Sequence, residues 1–168
     1  MSPIPKEIGD RYRAAAKLLE AGKSDPSTSN TYLNQAAVLL AQNIFKPQVL
    51  SNPKRFTRLN DLMALEPHLR SVTLFARVLK YSGSPNSSIQ EATFLSYAAK
   101  RGEPYASWAL ARKVKDPYMK IKLYNKALRD GIGEPSRSEV IKEYEEIYHK
   151  YLEDKRARQT RPVTPEKK

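Results

Sequence analysis

Along most of this chain apolar residues return at every third or fourth position, and alternation with period two never persists. That spacing predicts helices and no strand. A first helix is expected over residues 8–21, with Ile8, Tyr12, Ala15, Ala16 and Leu19 on its apolar face and Gly22 as its stop. After a polar loop, a second is expected over 31–45. Its stripe of Tyr32, Leu33, Ala36, Leu39, Leu40 and Ile44 contains one odd member, Asn43, and Pro47 ends it. A short helix over 59–65, capped by Thr57, is expected next. Glu66-Pro67 then restarts the chain toward a helix carrying Val72, Phe75, Ala76 and Leu79 and stopping at Gly83.

The stretch 87–131 holds one pattern twice. Phe94-Leu95-x-Tyr97-Ala98-Ala99-x-x-Gly102 is answered by Leu123-Tyr124-x-x-Ala127-Leu128-x-x-Gly131. Each is an amphipathic helix with small residues for close packing and a glycine able to take the left-handed conformation that ends it. Between them lies Tyr105-Ala106-x-Trp108-Ala109-Leu110-Ala111, opened by Pro104; Asp116-Pro117 supplies the cap and first turn of the following helix. Proline suits that place because its missing N–H would be unbonded there anyway. Ser88 with Glu91 and Ser136 with Glu139 read as capping boxes, side chains reaching back to free N–H groups at a helix start. A long closing helix over 138–158 carries Val140, Ile141, Tyr144, Ile147, Tyr148, Tyr151 and Leu152 on one face. Lys142, Glu143, Glu145, Glu146 and Lys150 lie on the other. Repeated helix–turn–helix units imply an α-solenoid, closed by a polar terminal helix.

The organisation that follows is one helical domain over 8–158. Residues 1–7 form a loose lead-in, 46–58 a proline-broken basic loop, and 159–168 a basic tail expected to be disordered for want of apolar groups.

Residues 87–131 resemble the Sel1-like branch of the tetratricopeptide superfamily. Ala92, Tyr97, Ala98, Ala99 and Gly102 carry the resemblance in one copy, and Tyr124, Ala127, Leu128 and Gly131 in the next. Ala106, Ala109 and Leu110 belong to the helix between. Gly102 and Gly131 are 29 residues apart, shorter than the usual repeat, and Trp108-Ala109-Leu110 stands where a leucine–glycine pair is expected. The resemblance implies an all-α fold of antiparallel helix pairs stacked as a short right-handed α-solenoid. It also implies an adaptor or assembly factor with no catalysis.

Composition narrows the chemistry. Of 168 residues, 30 are Lys or Arg and 18 Asp or Glu, a net charge of +12 that invites an acidic partner. No cysteine is present, which excludes disulfides and thiolate chemistry. The two histidines, His68 and His149, stand far apart with no metal-ligand spacing, and none of the six glycines builds a phosphate loop. No catalytic, cofactor or metal site is expected. No apolar run approaches the roughly 20 residues of a membrane span. The start of the chain lacks the apolar core of a secretory signal and is interrupted by acids as a transit peptide. An intracellular, soluble protein is expected, with the mitochondrion suggested by basic composition alone.

The partner-binding expectation rests on the basic residues. Nine lie between residues 100 and 129, opposed only by Glu103 and Asp116. Lys100, Arg101, Arg112, Lys113, Lys115, Lys120, Lys122 and Lys126, with Tyr105 and Tyr118 beside prolines at helix starts, form the first candidate face. Lys54, Arg55 and Arg58 of the proline-broken loop form the second, because that loop leaves the repeat for no packing reason visible in sequence. Tyr97, Trp108, Tyr124 and Tyr144 fall at core spacing. The leading expectation is a non-catalytic scaffold binding an acidic or peptide-like segment of a partner protein. The alternative is RNA on the basic face, bound through phosphates. Thr164-Pro165 in the tail fits a proline-directed phosphorylation site.

Overall fold

The computed structural model describes residues 4–24, 29–63, 67–82 and 85–160, with backbone only at 29 and 30. The stops and caps expected at Gly83 and Glu66, the tail beyond 160 and Thr164 lie outside the described residues. Within them the chain is all-α. Seven α-helices follow one another: α1 (Lys6–Ser24), α2 (Ser29–Ile44), α3 (Leu69–Lys80), α4 (Ser87–Lys100), α5 (Pro104–Lys113), α6 (Pro117–Arg129) and α7 (Ser136–Thr160). The only extended pairing described is a single antiparallel bridge between Phe45 and Leu62. Each helix packs against the next in sequence, and α3 also touches α1 and α5.

The signals around the 87–131 stretch act as their residue types dictate. Gly102 (φ +91°) and Gly131 (φ +94°) sit in the left-handed region. At the first, the N–H groups of Glu103 and Gly102 donate to the carbonyls of Ala98 and Ala99; at the second, those of Ile132 and Gly131 donate to Ala127 and Leu128. Both are Schellman closures of a helix. Pro104 and Pro117 open α5 and α6, each preceded by a carboxylate cap: Glu103 accepts from Tyr105 N–H (3.2 Å), Asp116 from Tyr118 N–H (3.4 Å).

Other expectations are corrected. Gly22 does not stop α1, which runs on to Ser24; it is buried, and a Cβ there would stand 3.1 Å from Leu33 Cδ2. Glycine serves here to let α2 approach. Of the helix expected over 59–65, the described residues 59–63 form a single 3-10 turn, Leu59–Asp61, with Arg58 rather than Thr57 at its N-cap, because Leu62 leaves it to bridge Phe45; residues 64 and 65 lie outside the described residues. The Ser88–Glu91 capping box gives way to a tertiary contact: Glu91 is buried and pairs with Lys113 of α5. The Ser136–Glu139 box is likewise replaced, since α7 begins at Ser136 itself and Ser138 Oγ donates to Glu134 (2.7 Å).

Most of the core is one cluster running from α1 to α5, centred on the chain's four phenylalanines. Phe45 stacks on Phe56 (ring centroids 5.1 Å) and meets Phe75 edge-on (5.4 Å), and Phe75 meets Phe94 (5.4 Å). Phe56 supplies the packing reason that the sequence did not reveal for the basic loop. The loop winds through 3-10 turns at Pro47–Val49 and Pro53–Arg55 and buries Val49 and Phe56. A second, smaller cluster of Ala111, Tyr124, Ala127, Ile132 and Val140 joins α5, α6 and α7. Asn43, the odd polar member of the α2 stripe, is buried and ties three helices together. Its Nδ2 donates to Ile8 O and Ser71 Oγ (3.1 Å each), and its Oδ1 accepts from Arg11 (3.4 Å).

Candidate binding groove

The contacts of α3 with α1 and α5 leave a groove of about 430 Å³ across those three helices, reaching Ser136 at the start of α7. Helical periodicity explains its lining. On α3, Arg70, Thr73, Leu74, Arg77 and Lys80 recur at three- and four-residue steps and share a face, while Val72, Phe75, Ala76 and Leu79 turn into the core. On α5 the same logic places Tyr105, Trp108, Ala109, Arg112 and Lys113 in the groove. Tyr12 comes from α1.

Guanidinium groups and rings alternate along this lining. Arg70 lies over both Tyr12 (5.4 Å) and Tyr105 (4.4 Å), so one α3 side chain is held between rings from α1 and α5. Tyr105 neighbours Trp108 (6.5 Å), and Arg112 covers the Trp108 ring (4.1 Å). Arg112 then continues to Glu143 of α7, donating from Nε (2.9 Å) and Nη2 (2.7 Å). The same carboxylate accepts from Trp108 Nε1 (3.3 Å) and Tyr124 Oη (3.0 Å). The bonds from Arg112 hold the Glu143 carboxyl below its usual range. Burial, then the nearby Glu143 charge, pushes the Tyr124 hydroxyl up to about 12. Glu143 therefore leaves the solvated face that its helical position suggested and becomes the anchor of α7.

Two more carboxylates reach the groove. Glu91 is taken by Lys113. Glu103 is buried, accepts from Thr73 Oγ1 (2.6 Å) and Tyr105 N–H, and has its carboxyl pushed up by that burial, partly offset by these bonds and by the charge of Arg70. His68, which hydrogen-bonds Ser71 (2.6 Å) and meets the edge of Tyr12, is pushed down by burial and by Arg70. The two carboxylates are thus spoken for. Arg70, Arg77 and Lys80 form no ion pair with any described residue.

Of the residues expected to bind a partner, the groove gathers Tyr105, Arg112 and Lys113. Lys100 and Arg101 line a separate open depression of about 530 Å³ with Leu59, Ile89 and Tyr97, and Arg101 folds onto the Tyr97 ring (3.5 Å) and donates to Tyr97 O (3.1 Å). Lys115 is exposed in the turn before α6. Lys120 donates to Ala111 O (2.8 Å) in the last turn of α5, Lys122 covers the Tyr118 ring (4.8 Å), and Lys126 pairs with Asp130 (2.8 Å). In the basic loop, Arg55 is bound to buried Asp61, while Lys54 and Arg58 are exposed. Sequence reasoning missed Tyr12, Arg77 and Lys80 as site residues; it read Trp108 as packing, and that ring does pack against the α5–α7 cluster while also lining the groove. The signal for the two cations was present: they share a helical face with Arg70.

No family model, curated protein or solved structure matches this chain. Among the described residues, no helix is long and apolar enough to cross a membrane, and no group of three or more acidic or histidine side chains could hold a metal ion.

Proposed function

We propose that this protein is a non-catalytic adaptor, an assembly or chaperone-like factor, that holds an acidic segment of a partner protein in the groove across α1, α3 and α5. On this reading the fold is a short right-handed array of antiparallel helix pairs of the Sel1-like, tetratricopeptide-like kind. The sequential packing and the α1–α3 and α3–α5 contacts support that array. The observation that carries the function is the presence in the groove of Arg70, Arg77 and Lys80, with no ion pair to any described residue, beside Tyr12, Tyr105 and Trp108. Cations set among rings are poised to recognise an acidic chain: the rings contribute apolar contact, and the charges select what lies on them.

The test is affinity purification from native cells of the tagged protein and of an R77E/K80E variant, with and without RNase. One dominant protein partner that survives RNase and is lost in the variant is expected. Partners that disappear with RNase would replace this reading with RNA binding on the same cations, since phosphate attraction is equally charge-driven.

A further inference from the structure

The groove contains the same unit twice. Arg112 lies on the Trp108 ring at 4.1 Å and receives the carboxylate of Glu143 through two of its nitrogens. Arg70 lies on the Tyr105 ring at 4.4 Å and receives none. We infer that Arg70 is a vacant carboxylate subsite, built to take one Asp or Glu side chain of the bound segment, bidentate through Nε and a terminal nitrogen, as Arg112 takes Glu143. This inference rests on the adaptor reading and assigns the residue at its centre.

Three observations set Arg70 apart from an ordinary surface cation. Its guanidinium carbon lies 5.4 Å from the Tyr12 ring of α1 and 4.4 Å from the Tyr105 ring of α5, so rings from two other helices confine it before a ligand arrives. A stacked guanidinium keeps its edge N–H groups for an oxyanion, and the planar fork matches a carboxylate in a way that an ammonium cannot. Glu103, whose carboxyl feels the charge of Arg70, makes no ion pair with it: its oxygens are bonded to Thr73 Oγ1 and Tyr105 N–H. Arg101 on Tyr97 shows the contrast. That pair sits within one helix, outside the groove, with the guanidinium turned onto its own helix's carbonyl.

Arg77 lies seven residues further along the same face of α3, about 10 Å by helical rise. A segment in polyproline II conformation rises about 3.1 Å per residue with three residues per turn, so about three residues cover that distance and return to the same face. The segment that fits therefore carries acidic side chains about three positions apart, the first on Arg70 and the next at Arg77.

The probe is acetylated, amidated hexaglutamate, which has no tryptophan. Trp108 is the only tryptophan of the chain and lines the groove, so its fluorescence reports occupancy. Wild type, R70K, R70Q and R77Q are titrated, and the Arg70 Nε–Hε signal is followed by NMR. R70K keeps the charge but loses the fork. Binding about tenfold or more weaker in R70K and R70Q, with the Arg70 Nε–Hε signal shifting on saturation of wild type, is the expected result. Binding unchanged in R70K and R70Q but lost in R77Q would overturn the subsite while leaving the adaptor reading intact. No change in Trp108 with hexaglutamate, but a response to an octauridine strand, would overturn both. Unchanged thermal melting of the variants separates loss of the subsite from loss of the fold.

Discussion

Glu143 shows how one side chain fixes an element. It collects hydrogen bonds from Trp108 and Arg112 of α5 and Tyr124 of α6, and so joins α7 to both. Its carboxyl is held down mainly by the Arg112 bonds, which favour the charged form. A lowered folded-state value means stability that is fully present above the ordinary carboxylate range and is lost as pH falls through the folded value. Replacing Glu143 by Gln keeps the volume and removes the charge. Urea unfolding near neutral pH should show a loss of about 1–2 kcal/mol. The gap from wild type should narrow as pH falls through and below the ordinary glutamate range, about pH 4.3. A gap that stays constant with pH would mean that the carboxylate's charge contributes nothing. The sequence placed Glu143 among solvated acids because its neighbours Lys142, Glu145 and Glu146 point outward; only the tertiary partners distinguish it.

At the scale of the element, the starts of α5 and α6 and the glycine stops of α4 and α6 were the most legible features. Proline after an acid, and glycine after an apolar run, act through the local backbone and need no distant partner. Gly102 and Gly131 make a clean pair for testing this. Both have positive φ, and a Cβ at either would meet no atom within 4 Å. Replacement by Ala should therefore lower stability through backbone strain alone, by about 1–2 kcal/mol at each site. The two effects should add in the double variant, because neither added methyl group meets a neighbour. Unequal effects in urea unfolding would reveal a neighbour that the geometry does not show. Gly22 lay beyond such reasoning. Its local sequence looks like a stop, yet its role is the close approach of Leu33 from another helix. The start of the 59–65 stretch departs similarly, since the Phe45–Leu62 bridge outweighs a weak helical preference.

At the scale of the whole molecule, each helix packs mainly against its sequence neighbours, and the core divides into a large cluster over α1–α5 and a small one over α5–α7. Opening need not be uniform in such an arrangement. The second half of α7 buries nothing, and every side chain from Glu153 to Thr160 is exposed. Amide hydrogen exchange should be fastest there, slower in α6 and the start of α7, and slowest in α3 and α4, which carry Phe75 and Phe94. Equal protection along all of α7 would show that a partner or a second copy covers it. The same layout governs charge. A positive excess legible as +12 becomes separate sets of cations: some paired, some capping helices, and a few unpaired in the groove.

By itself the sequence determined the class of fold, the order of the helices from the 87–131 stretch onward, and where α4, α5 and α6 begin or end. These follow from periodicity and backbone preference, which act over a few residues. The tertiary structure decided which cations face the groove, which carboxylates neutralise them, and why the basic loop is held. Each of those depends on side chains from elements far apart in the chain meeting at one place: Tyr12 with Arg70 and Tyr105, Arg112 with Glu143, Phe56 with Phe45 and Phe75. Helical spacing states which face a residue occupies on its own helix. What stands opposite that face is set by packing.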